Sequence, residues 1–124
     1  MTGEQNARSL REKKIGKLKK ADEISSVFDF KCRISSAHFI ALGKPNHLEK
    51  PRIVVMVAKK THGHAVRRNY MRRVCIEFCR KRQKHIGAMD VVIRVIKPFI
   101  KQDFTKVSHE IETVIAGLSK CRES

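Results

Sequence analysis

Apolar residues along this chain follow two different periods. Ile53 to Ala58 (IVVMVA) and Asp90 to Ile96 (DVVIRVI) are rich in β-branched residues and apolar on both parities. Such runs suit strands covered on both faces better than half-exposed ones. His38 to Leu42 (HFIAL) reads as a further short strand, and Gly43, Pro45, Asn46 and Pro51 behind it break regular structure. Elsewhere the spacing is helical. Ile24, Val27 and Phe28 recur in a short segment that Asp22 is placed to cap, and a helix of about two to three turns must be held by packing. Ala65 to Lys84 contains no Pro or Gly and predicts a helix of about five turns. Phe104, Val107, Ile111, Val114, Ile115 and Leu118 form one stripe of an amphipathic helix. The order helix, strand, strand, long helix, strand, helix predicts a single α+β domain with a small sheet.

The long helix carries most of the chemistry. At 100° per residue, Met71, Val74, Cys75 and Phe78 fall on one stripe expected to face the sheet, with Asn69, Arg72, Arg73 and Arg80 opposite and Ile76 among them. The stretch from Lys59 to Lys84 sets Lys59, Lys60, Arg67, Arg68, Arg72, Arg73, Arg80, Lys81, Arg82 and Lys84 against one acid, Glu77. A charge run is usually a solvated helix face. Here the whole chain has a net charge of +16 and a pI near 10.3, an excess that calls for a polyanion. Guanidinium forks bind phosphate bidentately, so nucleic acid is the expected partner. An anionic membrane is the competitor, but no run approaches the roughly 20 apolar residues of a spanning helix. The charged N-terminus has no apolar segment behind it, and a cytoplasmic location is expected. Met1 to Lys20, with Arg8, Arg11, Lys13, Lys14, Lys17, Lys19 and Lys20, reads as a flexible basic arm.

The remaining chemistry is sparse. Acids are scattered, no Gly-rich loop cradles phosphate, and no helix-turn-helix precedes Gly63. His62 with His64 could in principle cleave RNA by acid and base steps, although residues two apart on a loop need not face each other. Cys32, Cys75, Cys79 and Cys121 lack a C-x-x-C pair and are expected to be reduced, partly buried thiols. Cys75 and Cys79 with His62 and His64 have residue types that bind metal, without the tight spacing of a structural zinc site.

Lys59 and Lys60 at a strand end, a Gly-containing loop, Ala65, and then Arg68, Asn69, Arg72 and Arg73 opening a helix resemble the fingerprint of the protein subunit of bacterial ribonuclease P. The resemblance extends to LKKADEISSVF from Leu18, RISSAHFIAL from Arg33 and DVVIRVIKPF from Asp90. Tyr70 and Ile76 stand where the family often has Arg, which thins the basic face.

The resemblance implies an α-β-β-β-α-β-α order with a left-handed β-α-β crossover (the ribosomal protein S5 domain 2-like class), against the usual right-handed rule. Residues 1–20 would be the arm and 21–124 the ribonuclease P protein domain. It implies a holoenzyme that hydrolyses one phosphodiester to remove the 5′ leader of precursor tRNA. Catalysis would lie in an RNA using Mg²⁺, with no catalytic residue and no metal on the protein. Lys59, Lys60, Arg67, Arg68, Asn69, Arg72 and Arg73 would dock the catalytic RNA. The single-stranded leader would lie between the first helix and the sheet, mapped onto Ile24, Phe28, Phe39 and Ala41. The free protein is expected to be a monomer. The alternative is a ribosomal or general RNA-binding protein without a part in catalysis.

Overall fold

The computed structural model describes residues 15–122. Its elements are β1 (Gly16–Lys17), α1 (Ala21–Phe30), β2 (Arg33–Ser35), β3 (Phe39–Pro45), β4 (Arg52–Val57), α2 (Ala65–Lys81), the single turn α3 (Gln83–Ile86), β5 (Met89–Val95) and α4 (Phe104–Arg122). One five-stranded sheet has the order β1-β4-β5-β3-β2. β1, β4 and β5 run parallel, and β3 is antiparallel to both β5 and β2. The central β5 is paired on both sides and covered on both faces except at Arg94, as its apolar run predicts.

The main core lies on one face, where α2 and α4 cover Phe39, Ala41, Ile53, Val55, Val57, Val91, Ile93 and Val95. α4 presents the expected stripe of Val107, Ile111, Val114, Ile115 and Leu118, with Cys121 added; Phe104 stays exposed and packs its ring 5.5 Å from Phe78. Gly43 permits the close approach of α4, because a Cβ there would sit 2.4 Å from Met89 and 3.1 Å from Leu118. On the opposite face α1 covers less, burying Leu18, Val27, Leu42 and Val92.

Four expectations change. β4 is not covered on both faces: Ile53, Val55 and Val57 are buried, while Val54 and Met56 are half-exposed because the short α1 does not reach across the sheet. β3 runs on through Gly43 and Pro45, residues expected to break structure, because the Phe39↔Val95 to Pro45↔Met89 register holds them. The basic helix stops at Lys81, where Arg82 leaves helical geometry and its guanidinium lies 5.0 Å from the Phe78 ring centroid. Asp22 does not cap α1: Lys20 occupies the N-cap position without a side-chain hydrogen bond, and Asp22 and Glu23 lie in the first turn, where their charge favours the positive end of the helix.

Residues 1–14 lie outside the described residues, but Gly16–Lys17 pairs with β4, the Leu18 N–H donates to the Ile53 carbonyl (3.0 Å), and Leu18 is buried. Residues 16–18 of the segment read as an arm therefore pack on the sheet. Among the described residues no helix is long and apolar enough to cross a membrane.

Candidate nucleic-acid interface

The turn after β4 positions the first cations. The Thr61 N–H donates to the Ala58 carbonyl (2.9 Å) and the Thr61 hydroxyl to that of Val95 (3.3 Å), leaving Lys59 and Lys60 exposed. α2 then starts at Ala65 and buries Met71, Cys75 and Cys79, one residue per turn, against the sheet. Val74 and Phe78, expected on that stripe, are half-buried at its flank. Burial pushes the Cys75 thiol well up and the Cys79 thiol up to about 12, so both stay protonated.

The sequence-predicted cations divide by what they touch. Arg67 and Arg73 are exposed, and none of Lys59, Lys60, Arg67, Arg68, Arg72 and Arg73 has an ion-pair partner among the described residues. Arg68 is half-buried and turned back into the preceding loop, donating to the His62 and Gly63 carbonyls (both 2.9 Å). It builds the loop rather than extending from it. Arg72 donates to the Asn69 side-chain oxygen (2.5 Å), which orients both on one helix face. Arg80, expected outward, donates to Glu77 (2.9 and 3.1 Å) and holds that carboxyl below its usual range, so its charge is matched locally.

Lys60 and Arg72 converge with Arg94 of β5 around a groove of about 670 Å³ floored by Met56 and Ile96. This links α2 to the open sheet face, where strand register lines side chains into three rows. Arg52, Asp90 and Lys44 form the first; Val54, Val92, Leu42 and Arg33 the second; Met56, Arg94, Ile40 and Ser35 the third. The first row is tied to α1: Arg52 is bidentate to Asp90 (2.8 and 2.7 Å) and reaches Glu23 (2.8 Å), while Lys44 donates to Ser26. Val92 and Leu42 of the second row are buried under α1. The third row is left open.

Ile24 and Phe28 of α1 do border this open strip, together with Ile40, Val54 and Met56. Phe39 and Ala41 do not. They are 1% and 0% exposed in the other layer, where Phe39 packs edge-on to Phe99 (5.8 Å). Adjacent strand residues point to opposite faces, so Ile40 rather than Phe39 or Ala41 lies on the open strip. Sequence reasoning missed Ile40, Met56 and Arg94. Lys44 and Arg94 carried a usable signal, since charges within the apolar strands mark the parity that is not core.

The β2–β3 turn is fixed from the core side. The Glu110 carboxylate accepts from the Ser36 hydroxyl (2.5 Å) and the His38 N–H (2.5 Å), and its other oxygen meets His38 Nδ1 at 2.7 Å. Burial raises the Glu110 pKa, but the hydrogen bonds from Ser36 and His38 outweigh it and hold the carboxyl below its usual range.

The cysteines differ from expectation as well. Cys75 and Cys79 are free and buried, but Cys32 and Cys121 form a disulfide. The end of α4 lies across the sheet edge, bringing the two Cα atoms to 5.5 Å from positions 89 residues apart, a proximity no local spacing reveals. Among the described residues no group of three His, Cys, Asp or Glu is placed to hold a metal ion.

The family model described as "Ribonuclease P" matches residues 13–119. The chain is 33% identical over 114 residues to the ribonuclease P protein component of Chromobacterium violaceum, covering 92% of this chain and 94% of that one. It is 37% identical over 110 residues to the component of Ralstonia pickettii, covering 89% and 74%. Among solved structures, a Staphylococcus aureus RNase P protein mutant with defective mRNA degradation activity superposes with a TM-score of 0.70 at 22% identity, over 89% of this chain and 92% of that one. The Thermotoga maritima RNase P protein gives 0.60 at 21% identity, over 87% and 96%.

Proposed function

The chain belongs to the ribonuclease P protein family, and from that premise we propose that it serves a holoenzyme which removes the 5′ leader of precursor tRNA by endonucleolytic hydrolysis. It is the protein component, and its partner is ribonuclease P RNA. In this reading the RNA performs catalysis with Mg²⁺ held through the RNA. The protein supplies binding, is monomeric when free and works in the cytoplasm.

The observation that carries the reading is the set of cations without an acid partner among the described residues, Lys59, Lys60, Arg67, Arg72 and Arg73, of which Lys60 and Arg72 meet Arg94 in one groove beside the open sheet face. Phosphate contacts of this kind supply affinity and make it salt-dependent. Arg68 positions the loop, and Asn69 orients Arg72. The unpaired leader lies along the third row, with Phe28 and Ile24 on one side and Ile40 and Met56 as an apolar floor. One stacked base contributes about 1–3 kcal/mol, and Phe28 is the aromatic ring positioned to provide it.

Reconstitution with a ribonuclease P RNA at low Mg²⁺ tests this. The protein is expected to restore leader cleavage that the RNA alone performs poorly there. Failure to rescue while RNA is still bound would leave a general RNA-binding protein, and cleavage by the protein without RNA would make it a nuclease in its own right.

A further inference from the structure

A second concavity lies beyond the arginine face, between the start of α2 and the turn leading into α4. Its volume is about 860 Å³, within the roughly 300–1,000 Å³ span of small-ligand clefts. Val66, Tyr70 and Ile100 supply apolar and aromatic walls, while His62, His64 and Arg67 line the polar side. Val66 is 77% exposed and Ile100 42%, so apolar surface here faces water with nothing in the described chain to cover it. The Tyr70 ring is set edge-on to the buried Phe99 at 6.2 Å, which fixes its plane while leaving it half-exposed.

The polar side is built as well. Arg68 clamps the His62 and Gly63 carbonyls, and the His64 N–H donates to His62 Nδ1 (3.1 Å) with the two rings 5.8 Å apart. No acid lines the groove, and Lys101 adds another cation. The nearest acid in sequence, Asp103, is occupied by the Ile100 N–H (3.1 Å).

We propose that this groove binds one unpaired nucleotide of the partner RNA, its base against Tyr70, Val66 and Ile100 and its phosphate toward Arg67 and Lys101. An aromatic wall beside cations and without acids matches a base joined to a phosphodiester better than it matches an apolar peptide or a bare anion. Tyr70, which breaks the Arg pattern of the helix, then becomes a base-reading position. The proposal rests on α2 being an RNA-docking element.

The chain has one tyrosine and no tryptophan, so its tyrosine fluorescence reports Tyr70 alone. Titration with a short oligoadenylate at low salt is expected to quench that emission saturably, and an RNA duplex, whose bases are already stacked, is expected to quench it little. Tyr70→Ala and the surface change Ile100→Asp should each weaken oligoadenylate binding about tenfold, the scale of one base–aromatic stack. Tyr70→Phe, which keeps the ring, should retain affinity when binding is followed by anisotropy of a labelled oligoadenylate. Equal quenching by duplex and single strand, or unchanged affinity in both Tyr70→Ala and Ile100→Asp, overturns the proposal. Binding of ribonuclease P RNA by the Lys60→Ala/Arg72→Ala double variant separates the two levels. If that variant loses affinity while Tyr70→Ala does not, the nucleotide groove fails and the docking reading stands. If neither variant loses affinity, both fail.

Discussion

The cationic surface makes a quantitative prediction because its members differ in what they already touch. Lys60 and Arg72 line one groove with Arg94 and have no acid partner among the described residues. If each neutralises one phosphate, the Lys60→Ala/Arg72→Ala pair removes two contacts. The slope of log affinity against log salt should then become shallower by about 1.4–1.8, at roughly 0.7–0.9 per contact. Between 50 and 200 mM salt, a fourfold range, the gap between wild type and variant should therefore shrink about 7- to 12-fold.

Arg68→Ala is the internal control. Its guanidinium is used by the His62 and Gly63 carbonyls, so its loss should cost about 1–3 kcal/mol of stability with a much smaller change in slope. Arg80, paired with Glu77, should likewise change the slope little. Filter binding or anisotropy with ribonuclease P RNA across a salt series reads all four proteins. Parallel salt lines for wild type and the double variant, or an Arg68→Ala slope change as large as the double variant's, would refute the assignment of contacts.

Three further outcomes follow from other parts of the molecule. Phe28→Ala should weaken binding of leader-bearing precursor tRNA more than leaderless tRNA, whereas Phe39→Ala, deleting a 1% exposed core ring, should lower stability by about 3–5 kcal/mol and affect both tRNAs alike. Equal losses for both tRNAs in Phe28→Ala would remove the leader role. Glu110→Gln should destabilise the fold at pH 7 by about 1–3 kcal/mol, measured by thermal melts. Because the folded Glu110 carboxyl lies below its usual range, its contribution is present above the unfolded pKa of about 4.3 and is lost as pH falls through the lower folded value, so the gap between wild type and variant should close as the pH drops below the usual carboxylate range; a constant gap contradicts the network. Reducing the Cys32–Cys121 bridge releases a cross-link spanning 89 residues and should lower stability by up to about 4–5 kcal/mol in denaturant titrations; a Cys32→Ser variant equal to the oxidised wild type would show that the bridge does not constrain the unfolded chain.

The period of the apolar residues was enough to place the helices and the principal strands, because 3.6-residue and two-residue repeats are local properties of the chain. The same locality made the Lys59 to Arg73 surface legible, since unopposed charge and helical phase are both read along one element. Parity on β3 was different. Phe39 and Ile40 are both apolar, and only the position of α1 on one side and α4 on the other decides which faces a cleft and which a core. Arg68 and Arg73 look alike in sequence, yet a half-buried helix position turns one into the loop and leaves the other in solvent. The Cys32–Cys121 bridge depends on where α4 ends in space. Sequence by itself determined the family, the main helices and principal strands, and the sign of the partner's charge. Only tertiary structure decided which of two equally apolar faces stays open and which of several equal cations stays free, because both depend on contacts between segments far apart in the chain.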